Sequence, residues 1–213
     1  MTMMTDELRA RLRAVAERYL ADTNGCHRLD HTLRVVANAR QLMAHYPEID
    51  HPVAEASAWL HDIGRGLERA EGVSHATISA RLAEGILQAE GFTPVQVRLA
   101  QEAIADHRFS AGRIPASLEG KILQDADRLD ALGAIGIART FTESPYRELY
   151  HPTDPFAQQR TPDDDRYTLD HFFTKLLKLP ATMHTPEARA IADRRLRLMQ
   201  EFLAQLAEEL RID

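Results

Sequence analysis

Apolar residues recur at helical spacing through most of the chain, and this pattern constrains the fold more than any other feature. Residues three or four positions apart lie on one face of an α-helix, so each such segment predicts an amphipathic helix. The segments cover residues 6–20, about 31–46, 53–62, 74–90, 94–107, 118–141, 169–177 and 186–210. No run shows the alternation typical of a β-strand, and no repeat or low-complexity tract interrupts the pattern. We therefore predict an all-α fold.

Polar or proline-containing stretches separate the predicted helices. Thr93-Pro94-Val95-Gln96 has the spacing of a capping box with proline at the first helical position, so it predicts a helix start. We expect a break at residues 22–25 and a polar loop over Leu67–Val73. A long irregular segment is expected over 143–167, which contains four prolines and three consecutive aspartates. Such a loop is typical of a functional lid or a mobile segment, and a solvated excursion is the alternative.

The composition is that of a globular domain. With 213 residues, of which 44% are hydrophobic and 27% charged, the chain can bury a core as one domain over residues 1–213. The single cysteine, Cys26, excludes an intramolecular disulfide and agrees with a reducing compartment. The first residues lack the basic and apolar regions of a signal peptide, and no apolar run approaches the roughly 18 residues of a membrane span. We therefore expect a cytoplasmic protein without a membrane segment.

Charge and surface pattern limit the partners. The formal net charge of −6 argues against broad nucleic-acid binding, which favours basic faces, but allows a small anionic substrate held by local cations. The last predicted helix carries five apolar residues whose spacing suits core packing or a homodimer contact: Leu196, Met199, Leu203, Leu206 and Leu210.

The stretch Ala58–Gly66 ends an apolar run on His61 and Asp62 and then breaks at Gly64 and Gly66. Neighbouring residues on a helix point about 100° apart, so the two polar side chains can share a target only where the helix unwinds. The glycines supply such an ending. An imidazole nitrogen and a carboxylate oxygen placed there could hold a divalent metal if other segments bring further ligands. The alternative is that both residues cap a helix end.

A second signal lies in the helix predicted over 118–141. Four of its residues fall on one face at i, i+4, i+7 and i+11: Leu123, Asp127, Asp130 and Ala134. Two acids therefore interrupt an apolar stripe, and buried acids are costly unless they are paired or bound to a metal. Asp125 lies off this stripe, and we expect it to take no part in a site.

The order of these polar residues resembles that of a known family. His31, the pair His61-Asp62 and Asp127 occur in the order of the HD-domain superfamily of metal-dependent phosphohydrolases, which are helical bundles. Further stretches are similar to a bacterial branch of that superfamily, and the similarity runs from about residue 25 to 185. They are Ser74-His75-Ala76, Ala105–Ser110, Lys121–Gly136 and Asp154–Gln158.

The resemblance implies metal ligation by His31, His61, Asp62 and Asp127, with Asp62 also essential for turnover. Two imidazoles and two carboxylates without a thiolate suit Mn²⁺, Mg²⁺, Fe²⁺, Co²⁺, Ni²⁺ or Zn²⁺. Four protein ligands on a six-coordinate ion would leave positions for water and a phosphate oxygen. The metal could then polarise phosphorus and lower the pKa of the attacking water.

Other residues are candidates for catalysis or substrate binding. Asp130 could orient or deprotonate the attacking water, or accept a hydrogen bond from a ligand histidine. His75 and His107 could bind phosphate, donate a proton to the leaving group or complete a second metal site. Three cations lie nearest in sequence to the implied ligands and could clamp phosphate: Arg65, Lys121 and Arg128.

Departures from the family pattern narrow the substrate. Relatives that hydrolyse the stringent-response alarmone carry two acids shortly after His-Asp, whereas residues 63–66 here are Ile-Gly-Arg-Gly. The Gly-Tyr-Pro block of cyclic-dinucleotide phosphodiesterases is also absent. Some members of the bacterial branch look like nucleoside triphosphate pyrophosphohydrolases, and Arg65 would suit a polyphosphate. We therefore expect a nucleotide or a related phosphoester as the substrate.

Two other functions stay open. Some helical relatives with extra histidines between His-Asp and the last Asp bind two irons and use oxygen, and His75 and His107 occupy that interval. The chain could also be a non-catalytic nucleotide sensor, although a sensor has no need of a complete set of metal ligands.

Overall fold

A computed structural model describes residues 3–21, 29–142 and 147–210, and most of these residues are helical. Within these ranges there are ten α-helices: α1 (Asp6–Leu20), α2 (Leu29–Met43), α3 (His51–Leu60), α4 (Arg65–Glu71), α5 (His75–Ala89), α6 (Pro94–Asp106), α7 (Leu118–Asp130), α8 (Gly133–Thr142), α9 (Asp170–Thr174) and α10 (Pro186–Glu209). Short 3₁₀ helices occupy Phe109–Ala111 and Leu176–Thr182. The prediction of an all-α fold is confirmed. The break expected at 22–25, Cys26 and the first residues of the predicted irregular segment lie outside the described residues.

Contacts along the chain define two compact units, Met1–Asp127 and Arg128–Asp213. In the first unit α3 packs against α2 and α6, and α5 packs against α6 and α4. In the second unit α10 packs against α8 and against the 3₁₀ helix at Leu176–Thr182. The single domain over residues 1–213 stays a prediction.

The core of the first unit follows the apolar periodicity of its helices. Side chains from α1, α2, α3, α5 and α6 have no exposed surface, among them Leu12, Leu42, Leu60, Ile78 and Ile104. The predicted capping box is present, since Thr93 Oγ1 accepts a hydrogen bond from Gln96 N and Gln96 Oε1 accepts one from Thr93 N. The apolar period thus sets which face of each helix points inward, and the capping box sets where α6 begins.

The polar loop predicted over Leu67–Val73 is wrong, because α4 occupies most of it. The helix ends at Gly72, which has φ +64 and donates its N–H to Glu68 O. Gly66 therefore lies inside α4 instead of ending a helix. Gly64 has a different role: a Cβ there would lie 2.6 Å from His75 O and 2.7 Å from Ile78 Cβ. Only glycine lets this turn approach α5 so closely.

The helix predicted over 118–141 is two helices, α7 and α8, separated by a turn at residues 131 and 132. Gly133 has φ +73, a conformation that favours glycine. The last carbonyls of α7 accept side-chain hydrogen bonds: Arg195 donates to Leu129 O and Arg139 to Asp130 O. These donors replace the next helical turn. Because the apolar spacing continues across the break, the sequence pattern alone predicts one helix.

The helix predicted over 169–177 is shorter than expected. Helix α9 ends at Thr174, since Lys175 has φ −133 and ψ −61, outside the helical region. A 3₁₀ helix follows, and Pro180 lies inside it.

Residues 147–169 contain no helix, in line with the described part of the predicted irregular segment. The segment is nevertheless tied to α9. The fully buried carboxylate of Asp170 accepts hydrogen bonds from both terminal nitrogens of Arg160 and from Asp163 N, the last at 2.6 Å. The Arg160 guanidinium also lies over the ring of Tyr167. A buried ion pair thus holds this part of the segment in place.

Helix α10 is partly buried along its apolar seam. Met199 and Leu203 are buried, whereas Leu196, Leu206 and Leu210 are only half-buried. Core packing accounts for the first two, and the homodimer contact stays a prediction. None of the helices in the described ranges is long and apolar enough to cross a membrane.

Candidate metal centre

Polar side chains converge inside the first unit at places where helices begin or end. His31 lies in the first turn of α2, His61 and Asp62 directly follow α3, and His107 directly follows α6. His75 is the first residue of α5, and Asp127 lies near the end of α7. Asp127 is partly exposed, and the other five side chains are buried.

His31 Nε2 lies 3.3 Å from His61 Nε2, 3.3 Å from Asp127 Oδ1 and 3.6 Å from Asp62 Oδ2. His61 Nε2 is also 3.6 Å from Asp62 Oδ2. The structure therefore brings together the four residues to which the family resemblance assigns metal ligation. They come from α2, from the turn after α3 and from α7.

The other oxygen of Asp62 faces a second pair of histidines. Asp62 Oδ1 lies 3.4 Å from His75 Nε2 and 3.6 Å from His107 Nε2. The centroids of these two imidazole rings are 5.4 Å apart. The Asp62 carboxylate is thus placed between two pairs of imidazoles, one on each oxygen.

Backbone carbonyls fix which nitrogen of two histidines faces the cluster. His61 Nδ1 donates to Ala58 O at 2.8 Å, and His107 Nδ1 donates to Ile104 O at 2.7 Å. A carbonyl can only accept, so Nδ1 carries the proton and Nε2 of the neutral ring carries a lone pair. Each histidine directly follows a helix, so a carbonyl of the last helical turn lies within reach of its ring. The local fold thereby aims a possible metal-binding nitrogen inward.

Burial sets the charge of two imidazoles in the metal-free protein. Burial lowers the pKa of His61 to about 4, against the opposing charge of Asp62. Burial, with the nearby charge of Arg65, also lowers the pKa of His75 to about 4. Both rings are therefore neutral near pH 7, which is the form that binds metals.

At His107 and Asp127, neighbouring groups shift the pKa in the direction opposite to burial. Burial alone would lower the pKa of His107, but the hydrogen bond and charge of Asp62 outweigh it and raise that pKa. Burial would likewise raise the pKa of Asp127, yet the hydrogen bond and charge of His31 hold it well below its usual range. Asp127 is consequently a carboxylate at neutral pH, as a metal ligand must be.

The cluster fits a divalent metal. Two sets of three residues each offer donor atoms within 4.8 Å of one another: His31, His61 and Asp127, and His61, Asp62 and His107. The buried Nε2 of His75 has no hydrogen-bond partner in the described part of the chain. Imidazole and carboxylate donors without thiolate suit first-row divalent ions and Mg²⁺.

Two of the predicted substrate-binding cations belong to the first unit. Arg65 Nε donates to Asp62 Oδ2 at 2.6 Å, and its side chain is partly exposed, so it lies beside the cluster. Lys121 is half-buried on α7. Contact of either residue with a substrate stays a prediction.

The second unit contains Arg128 and Asp130. Arg128 is buried and donates to Thr182 O at 2.6 Å, and the buried Asp130 forms an ion pair with Arg139. Their assigned roles in substrate binding and water activation stay predictions. Asp125, expected off the buried stripe of α7, is fully buried. Helix α7 therefore buries more than one face, and the expectation that Asp125 takes no part in a site stays a prediction.

Sequence reasoning missed the polar residues that tie the cluster together. Asn38 Nδ2 donates to Ala126 O at 3.1 Å and so joins α2 to α7 beside Asp127. Gln124 Nε2 donates to the carbonyls of Asp106 and Arg113, on either side of the loop after His107. Asn38 could have been found, since it lies seven residues after His31 on the same helical face. Gln124 gives no such signal.

Comparison with known proteins places the chain in a family. Residues 28–132 match the family model of the HD domain. The chain is 39% identical over 105 residues to the uncharacterized protein YpgQ of Bacillus subtilis, and this match covers 48% of the chain and 45% of that protein. The chain thus matches somewhat less than half of the length of this curated relative.

Solved structures match over nearly their whole length. One, described as a predicted HD superfamily hydrolase from an uncultured Thermotogales bacterium, is 31% identical with a TM-score of 0.68, covering 97% of this chain and 99% of that one. An HD-superfamily hydrolase from Bacillus thuringiensis is 30% identical with a TM-score of 0.74, covering 97% and 98%. Bacillus subtilis YpgQ in complex with ADP is 28% identical with a TM-score of 0.73, covering 96% and 97%.

These similarities support a metal-dependent phosphohydrolase in general terms, and HD domains bind divalent metals. The chain belongs to the HD-domain superfamily.

Proposed function

We propose that the chain is a divalent-metal-dependent phosphohydrolase that cleaves a nucleotide or a related phosphoester by attack of water. One observation carries the proposal: both oxygens of the buried Asp62 carboxylate face imidazole Nε2 atoms, and Asp127 completes the set at His31. A cluster of this kind is expensive to bury without a cation.

His31, His61, Asp62 and Asp127 would hold the metal. A bound divalent ion supplies positive charge that polarises a phosphoryl group and lowers the pKa of an attacking water. The protein contributes position: Ala58 O orients the ring of His61, and Asn38 holds α7 against α2. These contacts would fix the ligands before substrate arrives.

Arg65 is suited to bind the anionic substrate. Among the described residues its side chain makes one hydrogen bond, from Nε to Asp62. Both terminal NH₂ groups can therefore contact a phosphate in the bidentate manner typical of arginine. His107, whose Nδ1 is bound to Ile104 O, would hold a transferable proton at Nε2 for the leaving group.

A nucleotide is the substrate class that the relatives favour. YpgQ of Bacillus subtilis has been solved in complex with ADP. The departures at residues 63–66 argue against the alarmone, and Arg65 suits a polyphosphate chain. We therefore propose a nucleoside di- or triphosphate, or a close analogue, as the substrate.

The test is a screen of nucleotides and phosphomonoesters with Mn²⁺, Mg²⁺ and other divalent ions, in which phosphate and pyrophosphate are measured separately. We expect turnover that depends on the metal and falls at least 100-fold in Asp62→Ala while helical content by circular dichroism is kept. Asp106→Ala is the matched control, since Asp106 pairs with the exposed Arg113 outside the cluster. Full activity of Asp62→Ala would refute the assigned site.

Oxidation at a di-iron centre is the second candidate, because His75 and His107 add two nitrogens on the Oδ1 side of Asp62. About two irons per chain together with oxygen consumption would favour it over hydrolysis. Nucleotide binding without turnover under any divalent ion would instead favour the non-catalytic sensor.

A further inference from the structure

We propose that Glu68 is the positioning residue for His75: its carboxylate fixes the tautomer and orientation of the His75 ring so that Nε2 faces Asp62. This inference rests on the proposed function for its effect on activity. Its structural part concerns the metal-free protein and can be tested separately.

Glu68 contacts both the backbone and the ring of His75. Glu68 Oε1 accepts a hydrogen bond from His75 N at 3.1 Å, and His75 Nδ1 lies 3.1 Å from both Glu68 oxygens. The His75 side chain is 3% exposed and the Glu68 side chain 35% exposed. A carboxylate at the edge of the first unit thus reaches a buried ring and holds its backbone as well.

The direction of the helices explains why His75 needs a carboxylate. His61 and His107 follow helix C-termini, where the carbonyl three residues earlier accepts from Nδ1. His75 is the first residue of α5, and a helix N-terminus offers only N–H donors. No acceptor of its own helix is available to Nδ1, so the acceptor has to come from another element. Glu68 of α4 supplies it.

Glu68 is itself held in place. Arg108 Nη1 lies 3.3 Å from Glu68 Oε1 and 3.3 Å from Ser74 Oγ. Arg108 is the residue after His107, so this contact joins α4, the start of α5 and the loop after α6. The same carboxylate therefore links the segments that carry His75 and His107.

A carboxylate that accepts from Nδ1 keeps the proton there and leaves a lone pair on Nε2. Histidines at metal sites use such partners, and removing the partner typically costs 10- to 100-fold in metal affinity or activity. We expect a loss of this size when Glu68 is removed.

The test follows the ring nitrogens of His75 by ¹⁵N NMR in the metal-free protein at pH 7. In the unmodified chain we expect the tautomer protonated at Nδ1. Glu68→Ala and Glu68→Met remove the acceptor and should move His75 toward the tautomer protonated at Nε2. Glu68→Gln keeps an acceptor oxygen and should restore most of the original signal. Two removal variants of different volume are used in case one of them does not fold.

Glu71→Gln is the matched control. Glu71 lies on the same helix, but its carboxylate pairs with Arg81 on the protein surface. This variant should leave the His75 signals and the activity unchanged.

Activity provides the second readout. With Mn²⁺ and a substrate found in the screen, the removal variants should lose 10- to 100-fold in kcat/KM, and Glu68→Gln less than 10-fold. The proposal is overturned if His75 keeps its tautomer in the removal variants, or if Glu71→Gln shifts it equally. A chain without hydrolytic activity would refute the proposed function but would leave the NMR result to decide on Glu68.

Discussion

The Nε2 atoms of His31 and His61 lie 3.3 Å apart in a fully buried position, although 30 residues separate the two histidines in sequence. His61 keeps its proton on Nδ1 through Ala58 O, so its Nε2 needs a proton donor or a cation beside it. The distance depends on how the turn after α3 lies against its neighbours. Gly64 lies in that turn, so we expect a substitution at Gly64 to disturb the cluster.

Gly64→Ala should destabilise the first unit. The added Cβ would meet His75 O at 2.6 Å, Ile78 Cβ at 2.7 Å and Ser79 N at 2.8 Å, two of them backbone atoms that cannot move aside. Overpacking of this kind typically costs about 1–3 kcal/mol. We expect a loss in this range by urea unfolding, together with weaker binding of Mn²⁺ because His75 is displaced.

Gly66→Ala, two residues further along the chain, should have the opposite effect on stability. Nothing lies within 4 Å of a Cβ at Gly66, which is inside α4. Alanine in a helix is favoured over glycine by about 0.5–1 kcal/mol, so this variant should be slightly more stable. Equal destabilisation of both variants would show that close packing at Gly64 is not the cause.

Glu55→Gln should lower the free energy of unfolding, although it only replaces a carboxylate with an amide of similar size. Glu55 is a buried carboxylate on α3 that accepts hydrogen bonds from Arg9 on α1 and Arg40 on α2. Hydrogen bonds to charged groups contribute about 1.5–3 kcal/mol each. Both arginine side chains are more than a third exposed, however, so water can replace part of these contacts. We expect a total loss of about 1–3 kcal/mol in the free energy of unfolding.

Glu17→Gln is the control for this loss. Glu17 pairs with Arg13 one turn away on the exposed face of α1, and such pairs contribute about 0.3–0.5 kcal/mol. Similar losses in the two variants would mean that Glu55 acts only as a surface charge.

Much of the fold follows from local patterns. The apolar period and the capping box at Thr93 depend on residues within a few positions, and the sequence contains that information. Local signals marked His61, Asp62 and Asp127 as candidates, but their convergence with His31 was predicted only from the order of these residues in a family. Contact between such distant residues depends on helix packing.

The failures have the same origin. Helix α7 ends because Arg195 and Arg139 cap its carbonyls, and the apolar spacing of the segment carries no sign of them. Glu68 was assigned to a loop, so its contact with His75 could not be anticipated. In both cases the outcome is decided by polar contacts that the apolar spacing does not encode.

The histidines should titrate apart in the metal-free protein. His61 and His75, with pKa values of about 4, stay neutral in the folded state while the unfolded chain takes up protons near pH 6.5. Their contribution to stability is complete above pH 6.5 and is lost as the pH falls from 6.5 to 4. The raised pKa of His107 acts oppositely: its contribution is present below pH 6.5 and is lost as the pH rises through the folded pKa.

Histidine NMR signals recorded from pH 8 to 4 check this prediction. The signal of His107 should move first on acidification, and those of His61 and His75 last. The free energy of unfolding should fall between pH 6.5 and 4, because two groups oppose protonation and one favours it. Joint titration of all three rings near pH 6.5 would contradict the assignment of burial as the main cause.

Arg160→Ala should release the irregular segment of the second unit. The Asp170 carboxylate is fully buried, and the variant leaves it with the N–H of Asp163 but without its charged partner. Breaking a buried pair in this way costs about 3–5 kcal/mol. We expect a loss of at least about 3 kcal/mol in urea unfolding and faster proteolysis within residues 147–169.

Arg166→Ala tests whether the ion pair or the aromatic contact holds the segment in place. Arg160 and Arg166 both lie over the Tyr167 ring, at 4.9 and 5.0 Å from its centroid. Arg166, however, pairs with the half-exposed Glu148, a contact that contributes at most about 1 kcal/mol. If the two variants are cleaved at the same rate, the cation–π contacts and not the buried pair hold the segment. We expect Arg166→Ala to resist the protease nearly as well as the unmodified chain, because the Asp170 carboxylate keeps its partner.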